Sequence, residues 1–351
     1  MTARKPELPE RADNRPMGRR TNLALLASLS AAFATGWLAF AYATAPARWS
    51  LLVHATTGFV ILALIPWKSV LVRRGLRRPR GGRPASMLLA MLVLASLLGG
   101  LLHSTGLLRW WGPFTAMELH VGAALLAVPL AVWHVIARPV RPRRIDLARR
   151  ALLRQGTTLA VAAASYSASE AAVRLLRLPG ADRRFTGSYE FGSFQPELMP
   201  VSSWMFDKVP SLDAAGWRLR VAGAGGTVRE WTHDDLATFD DRLRAVLDCT
   251  GGFWSEQDWS GVLLSRLLPE TGGARSVRVV SHTGYDRRFP VEELSRLLLA
   301  TRVGGVPLSQ DHGHPARLVS ASRRGFWWVK WVVGVELDPL PHWWQLPFPL
   351  Q

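Results

Sequence analysis

The sequence contains little cysteine and few acidic residues. Cys249 is the single cysteine among 351 residues, so an intramolecular disulfide is excluded. A lone thiol is inert packing, a nucleophile or a metal ligand. Asp and Glu number 26 against 43 Lys and Arg, which leaves a formal net charge of +17. An excess of this size can indicate a nucleic-acid partner.

The distribution of the basic residues argues against nucleic acid. They are concentrated at the N-terminus, in residues 68–83 and in residues 138–154, and each block adjoins a long apolar run. Four runs reach the ~20 helical residues needed to cross the hydrocarbon core of a bilayer. They cover residues 21–44, 50–72, 85–108 and 114–137. This combination is typical of a polytopic membrane protein, whose direct partners are lipids.

The arginine blocks also predict an orientation. They flank the N-terminus, the connection between the second and third runs, and the stretch after the fourth run, whereas the other two connections carry only Arg48 and Arg109. Basic loops remain cytoplasmic. We therefore predict a cytoplasmic tail at residues 1–20 and a four-helix transmembrane unit at residues 21–137, in a multi-pass protein of the cell membrane.

A fifth run, residues 151–176, is less apolar. The polar residues that interrupt it are Gln155, Glu170 and Arg174. If this run spans the membrane, residues 181–351 lie outside the cytoplasm. Its start, ARRALLRQGTTLAVAAAS, resembles a twin-arginine export signal, although Arg149 and Arg150 are equally consistent with ordinary positive-inside charges. Residues 138–180 are therefore a basic loop followed by a fifth transmembrane helix or an export-like segment.

Beyond residue 181 the pattern becomes that of a β-rich α+β domain. Apolar runs shorten, alternate with period two and are separated by turn residues. Strands are predicted at 217–223, 243–249, 276–282, 316–321 and 326–337, and short helices at 232–239 and 290–301. The glycines of GAGG (223–226) indicate a hairpin turn rather than a phosphate loop, because no helix follows them directly.

The segment around Cys249 carries a family resemblance. LDCTGGFWSEQDWSGVLLSRLL (247–268) resembles the metal-binding segment of the sulfite oxidase family, in which a cysteine closes a strand and a glycine-containing loop follows. SHTGYDRRFPVEEL (281–294) and GGVPLSQDHGHPARLVSASRRGFWWVKWV (304–332) resemble two further family motifs, in the same order. The stretch SASRRGF departs from the family's more usual proline–glycine turn. We expect no second, immunoglobulin-like domain, which favours the shorter exported members of the family, such as the bacterial methionine-sulfoxide reductase.

The resemblance implies a molybdopterin-binding oxidoreductase domain that transfers oxygen atoms to or from a small oxo-substrate. It implies that Cys249 binds molybdenum through its sulfur, which suits a soft thiolate and a high-valent metal. Thr250 and Gly251 would let the backbone approach the molybdopterin closely. The alternative for Cys249 is a buried apolar thiol. Tyr285 and Trp254 are either active-site wall or plain packing.

Three downstream residues would contact the pterin and its phosphate by the same resemblance: His312, Arg317 and Lys330. An anionic phosphate needs cationic donors, which arginine supplies as a fork and lysine as a point charge. The alternatives are a solvated histidine and ordinary salt bridges. His314 is a weaker candidate than His312.

Histidines inside the apolar runs indicate a second cofactor, because an ionisable residue at membrane depth is costly. His54, His103 and His120 each lie a few residues from the predicted outer ends of their helices, at a common depth. Paired histidines on facing helices can ligate haem b. We predict that His54 and His120 ligate the haem iron and that His103 supports or replaces one of them. The alternative is a plain anchor whose histidines hydrogen-bond between helices.

The predicted protein is thus an α-helical transmembrane bundle of four or five helices followed by a mixed α+β, sulfite oxidase-type molybdopterin-binding domain at residues 181–351. It would exchange electrons with the membrane, through quinone, quinol or another redox carrier, by way of haem b. Two alternatives stay open. The same domain can sit on a haem-free anchor that uses a separate electron carrier, or the chain is a metal-free membrane scaffold.

Overall fold

The structure, a computed structural model, describes residues 15–76, 81–112, 114–143, 146, 149–202 and 207–346. Most of the predicted tail 1–20 lies outside these residues. The chain divides into two compact units. The first comprises Met1–Gly36 with Leu51–Ala181, and the second comprises Trp37–Ser50 with Asp182–Gln351.

Long helices build the first unit. They are α1 (Arg15–Ala41), α2 (Ala45–Leu76), α3 (Arg83–Thr105), α4 (Ala116–Ala137) and α5 (Arg149–Leu175), with a short hairpin of β1 (Trp110–Trp111) and β2 (Phe114–Thr115) before α4. Four stretches are long and apolar enough to cross a membrane: Gly18–Ala41, Pro46–Arg73, Arg83–Thr105 and Ala116–Ala137. These match the four predicted runs, whereas α5 is a regular helix that falls below this apolarity.

Helix ends and small residues account for the packing of α3 and α4. A capping box between Thr115 and Glu118 begins α4. Gly106, in the left-handed conformation, ends α3. At Gly99 a Cβ atom would lie only 3.1 Å from the backbone nitrogen of His120, so the two helices approach at backbone distance. Close approach through small residues is the usual way that helices associate in lipid.

Two β-sheets build the second unit. The strands are β3 (Tyr189–Glu190), β4 (Arg218–Ala222), β5 (Val228–Thr232), β6 (Asp241–Asp248), β7 (Phe253–Leu263), β8 (Ser276–Ser281), β9 (Asp286–Pro290), β10 (Leu297–Val303), β11 (Val306–Pro307), β12 (Arg317–Ser320) and β13 (Val332–Asp338). Two short helices are α6 (His233–Ala237) and α7 (Leu264–Leu267). One sheet has the order β11-β10-β7-β3, with β12 beside β10 and β6 beside β7; the other has the order β5-β4-β13-β8-β9.

Residues from both sheets form one hydrophobic core, with Trp259, Phe289 and Leu318 among its fully buried side chains. Burying apolar area of this kind is the main force that holds such a domain together. The predicted strands at 217–223, 243–249, 276–282 and 316–321 are confirmed, as are the helix at 232–239 and the GAGG hairpin turn.

Two predicted elements are wrong. The segment 290–301 is not a helix: a 3-10 turn at Val291–Arg296 leads into β10. Residues Leu297–Ala300 are fully buried between β7 and β12, so both faces are apolar and periodicity cannot distinguish strand from helix. In 326–337 only β13 is a strand, because Gly325–Trp327 forms a 3-10 turn and Trp331 has φ of 51°.

Candidate functional site

Cys249 lies at the tip of the hairpin that joins β6 to β7. Its N–H donates to the carbonyl of Phe253 at 2.8 Å, and Gly252 donates back to its carbonyl at 3.2 Å. Gly252 has φ of 98°, a conformation that favours glycine, so the tight turn depends on this residue. The cysteine therefore closes its strand, as the motif predicted. The thiol is 94% removed from solvent, since only 6% of Cys249 is exposed.

The hairpin tip surrounds the sulfur with polar groups. The backbone N–H of Gly251 donates to Sγ at 3.3 Å, which places this predicted residue in direct contact with the thiol. Thr250 lies in the same turn and is half-buried. The hydroxyl of Ser202 lies 3.2 Å from Sγ. Both groups lie within hydrogen-bonding distance of the sulfur.

Ser202 also connects the thiol to Lys330. The Lys330 ammonium donates to the carbonyl of Ser202 at 2.7 Å and to the carbonyl of Asp311 at 2.6 Å. Sequence reasoning missed Ser202, because it lies upstream of every matching motif and a lone serine carries no local signal. The structure thus brings Cys249 and Lys330 to one place, on either side of the same residue.

Arg317 begins β12 and is buried. Its guanidinium carbon lies 5.5 Å from the ring centroid of Trp259 and 5.6 Å from that of Trp328. Nη1 donates to the carbonyl of His312 at 3.1 Å, whereas the buried Nε has no hydrogen-bond partner within the described residues. Burial lowers the pKa of Arg317 to about 10, and the thiol of Cys249 opposes that shift.

His312 is neutral and fully engaged by its surroundings. Nε2 donates to the carbonyl of Met199 at 3.1 Å, and Nδ1 accepts from the hydroxyl of Ser309 at 2.8 Å. Burial, with Arg317 nearby, lowers the pKa of His312 to about 4. If His312 contacts a phosphate as predicted, it does so as a neutral imidazole. The backbone carbonyl of His312 accepts a hydrogen bond from Arg317 and orients its guanidinium.

The two cations at this site repel each other, while the carboxylates of Asp311 and Asp207 partly offset the charge of Lys330. Burial first, and then the neighbouring Arg317, lower the pKa of Lys330 to about 7. Among the residues that the structure describes, neither Arg317 nor Lys330 forms a salt bridge with a carboxylate. Together with the orphan Nε, this makes a donor set that an anionic group would satisfy. The residues present therefore fit a phosphate-bearing cofactor with a metal at Cys249.

The described residues hold no group of three or more His, Cys, Asp or Glu side chains that could bind a metal ion. A metal at Cys249 would consequently take its remaining ligands from a cofactor rather than from the protein. A molybdopterin supplies such ligands through its dithiolene.

Tyr285 and Trp254, whose roles the sequence left open, are placed by their contacts. The Tyr285 hydroxyl donates to the carbonyl of Phe326, and burial raises the pKa of Tyr285 to about 12. Its described contacts are those of a residue that packs in the core. Trp254 lies on β7 with the guanidinium of Arg184 5.2 Å from its ring centroid. His314 lies beside His233, with ring centroids 5.8 Å apart.

In the first unit, His54 of α2 and His120 of α4 face each other. Their ring centroids are 5.7 Å apart and the ring planes are at 84°. Each Nδ1 is hydrogen-bonded to a backbone carbonyl, that of Ala32 at 2.8 Å for His54 and that of Ser96 at 2.7 Å for His120. His103 of α3 is buried. The structure therefore brings together the two histidines that were predicted to pair.

Comparison with known proteins agrees with the site in the second unit. The profile of the family described as "Oxidoreductase molybdopterin binding domain" matches residues 206–343. Mitochondrial sulfite oxidase of Homo sapiens is 28% identical over an alignment of 175 residues, and the match covers 38% of this chain and 32% of that protein. The Rattus norvegicus protein is 29% identical over an alignment of 176 residues, and the match covers 39% of this chain and 32% of that protein.

A structural comparison gives a partial likeness to the sulfane dehydrogenase SoxCD from Paracoccus pantotrophus, with a TM-score of 0.35 and 26% identity over 38% of this chain and 40% of that chain. The chain spans about a third of the length of the curated relatives that it matches. The family match covers the segment that contains Cys249, Arg317 and Lys330. Residues 206–343 thus match the molybdopterin-binding domain of oxidoreductases, and the chain is similar over this region to part of the sulfite oxidases.

Proposed function

We propose that this protein is a membrane-anchored molybdenum oxidoreductase that works outside the cytoplasm and exchanges electrons with the membrane through haem b. The observation that carries the proposal is the convergence of one buried thiol, Cys249, with Arg317 and Lys330, two cations that form no salt bridge within the described residues. When bound, the molybdenum cofactor supplies oxygen-atom transfer coupled to two-electron redox chemistry, and the protein supplies position and electrostatics.

Each residue has a separate task. Cys249 holds the metal through its sulfur, and the N–H of Gly251 and the hydroxyl of Ser202 stabilise that sulfur as a thiolate. Arg317 and Lys330 neutralise the charge of the phosphate, the first as a planar fork and the second as a point charge. The substrate is a small oxo-compound. Sulfite, which the names of the curated relatives indicate, is the first to test.

Elemental analysis of purified chain tests the cofactor. Protein made in a host that builds molybdopterin should contain about one molybdenum per chain, by the single-thiolate argument. Cys249→Ala should contain almost none, while Tyr285→Phe, which changes a packing residue, should match the unchanged protein. Equal and near-zero molybdenum in the unchanged chain and in Cys249→Ala would favour the metal-free scaffold.

The haem proposal is supported by the geometry of His54 and His120. Because a carbonyl can only accept, each Nδ1 carries the proton, and each Nε2 therefore presents the lone pair that a metal needs. Two imidazoles on one metal ion each form a bond of about 2.0–2.1 Å. The facing rings, with centroids 5.7 Å apart, lie on two different helices, as a pair of axial haem ligands requires.

A reduced-minus-oxidised absorption spectrum tests the haem. The unchanged protein should give a b-type band, and His54→Ala and His120→Ala should each abolish it. His134→Ala is the matched control, because His134 lies near the opposite end of α4 and contacts Ser86 instead. If the unchanged protein has no haem band, the haem-free anchor with a separate carrier replaces this part of the proposal.

The course of α5 supports an extracytoplasmic catalytic domain. Asp146, just before α5, is bound by the guanidinium of Arg19 at 2.9 Å, near the start of α1. Gly180, just after α5, packs against the last turn of α3, since a Cβ there would lie 2.1 Å from the carbonyl oxygen of Ser104. The start of α1 and the end of α3 are predicted to lie on opposite sides of the membrane. The 27 residues of α5 extend about 40 Å, which is long enough to connect the two sides.

Two further observations agree with this path of α5. Tyr166, in the middle of α5, packs on Phe59 of α2 at a ring separation of 6.1 Å, so α5 lies alongside a predicted transmembrane helix. Trp37–Ser50, the connection between α1 and α2, belongs to the same compact unit as the catalytic domain. Alkaline phosphatase fused after Ala181 should be active and a fusion after Arg143 inactive. The reverse result would place the domain in the cytoplasm.

A further inference from the structure

A buried ion pair lies directly behind Cys249. The Arg324 and Asp248 side chains are 4% and 1% exposed, and Nε lies 3.3 Å from Oδ1. Removing two charges from water is costly, and such a pair is often no more stable than an apolar replacement. A pair that is retained next to a functional residue therefore suggests a role in fixing geometry.

The Arg324 guanidinium binds the backbone on both sides of the cysteine. Nη2 donates to the carbonyl of Cys249 at 2.9 Å, and Nε donates to the carbonyl of Asp248 at 3.2 Å. These two carbonyls belong to the peptide planes on either side of the Cα atom of Cys249. Holding both restricts the backbone torsions of Cys249, and these set the direction of its Cα–Cβ bond. A planar fork can hold two carbonyls at once, which a lysine cannot do.

Asp248 completes the arrangement by binding the segment that precedes β3. Its carboxylate accepts from the hydroxyls of Thr186 and Ser188, each at 2.7 Å. Ser188 also donates to the carbonyl of Cys249 at 3.3 Å. Both charges of this pair are thus hydrogen-bonded, and the hairpin tip is connected to residues 60 or more positions away in the sequence.

The backbone after Arg324 forms a wall beside the thiol. A Cβ at Gly325 would lie 3.3 Å from the Cα of Cys249 and 3.7 Å from its Sγ. Arg324 belongs to the SASRRGF stretch, the point at which the sequence departs from the usual family turn. The departure therefore brings a buried cation to the backbone of the metal-binding residue.

We propose that Arg324 is the positioning residue for Cys249: with Asp248, it orients the thiol toward the metal and shields its outer side. The proposal rests on the proposed ligation by Cys249. It predicts that losing the Arg324 fork loosens the hairpin tip while the rest of the domain stays folded.

The single cysteine makes a direct test possible, because any thiol reagent reports on Cys249 alone. The chain is prepared without cofactor, in a host that cannot make molybdopterin, and its reaction with a disulfide reagent (DTNB) is timed. Arg324→Gln should react at least about 10-fold faster than the unchanged chain, since the loss of one charge-assisted hydrogen bond is worth about one order of magnitude. Arg324→Lys should lie between the two.

The neighbouring Arg323 provides a matched control. It is also an arginine of low exposure paired with a carboxylate, Glu293 at 2.7 Å, but no contact of that pair includes Cys249. Arg323→Gln should change the labelling rate less than about 2-fold, because the fork behind Cys249 is intact. Equal acceleration in Arg323→Gln and Arg324→Gln, or none in either, would overturn the proposal.

The loaded protein gives a second readout. In Arg324→Gln the Mo(V) electron paramagnetic resonance signal should shift, because it depends on the orientation of the bound sulfur, whereas Arg323→Gln should keep the native signal. If Arg324→Gln does not fold, Ser188→Ala, which removes one support of Asp248, is measured instead, and an unchanged signal and labelling rate there would count against the proposal. Absence of molybdenum from the unchanged chain would refute the ligation by Cys249. The labelling rates would still test whether Arg324 restrains Cys249, because they are measured without cofactor.

Discussion

The charge of Lys330 allows a quantitative test of the anion site. Burial and Arg317 lower its pKa from 10.5 to about 7, so between these pH values the unfolded chain holds a proton that the folded chain releases. The folded state without cofactor therefore gains stability as the pH rises from 7 to 10.5. The full shift corresponds to about 5 kcal/mol, and partial exposure of the ammonium reduces our expectation to about 2 kcal/mol.

The assay is the free energy of unfolding of the cofactor-free chain in detergent, measured by denaturant between pH 7 and 10 for the unchanged protein and for Lys330→Met. The stability difference between them should change by about 2 kcal/mol in favour of the unchanged chain as the pH rises. Lys208→Met, at an exposed lysine of the same unit, is the control and should give a flat difference. In the loaded protein the phosphate should keep Lys330 charged and abolish the effect. A flat difference for Lys330→Met, or one of opposite sign, would refute the reasoning.

Three further predictions concern the same domain. Burial lowers the pKa of His312 from 6.5 to about 4. The folded chain should therefore lose up to about 3 kcal/mol of stability as the pH falls from 6.5 to 4. His312→Asn should remove this part of an acid-unfolding curve. Gly261→Ala should lower the free energy of unfolding in denaturant by more than about 3 kcal/mol, because the new Cβ would lie 2.1 Å from the carbonyl oxygen of Leu299. An unchanged free energy of unfolding would show that β7 and β10 can separate there. Tyr285→Phe should lower thermal stability by about 1–3 kcal/mol, because the Phe326 carbonyl loses its hydrogen-bond donor. The molybdenum content should stay constant. Loss of the metal would instead place Tyr285 in the site.

Local sequence patterns predicted the elements whose environment is uniform along their length. The four apolar helices follow from long runs that only lipid or a protein core can accept, and alternation identified β4, β6 and β8. The same reasoning failed at β10. Its residues Leu297–Ala300 are buried on both faces, so the sequence there has no period to read. Only the neighbouring strands, β7 and β12, decide that this run is extended.

The sequence by itself determined the chemical groups of the proposed site: one thiol suited to a metal and two cations suited to an anion, because residue type sets charge and ligand preference wherever the chain folds. It also placed His54 and His120 at one depth, since helical rise is regular. Only the tertiary structure decided which groups meet. Ser202 reaches Sγ across 47 residues, and Lys330 reaches the Ser202 carbonyl across 128. Arg324 reaches the Cys249 carbonyl across 75 residues. Contacts of such sequence separation depend on how the sheets pack, and no local pattern encodes that.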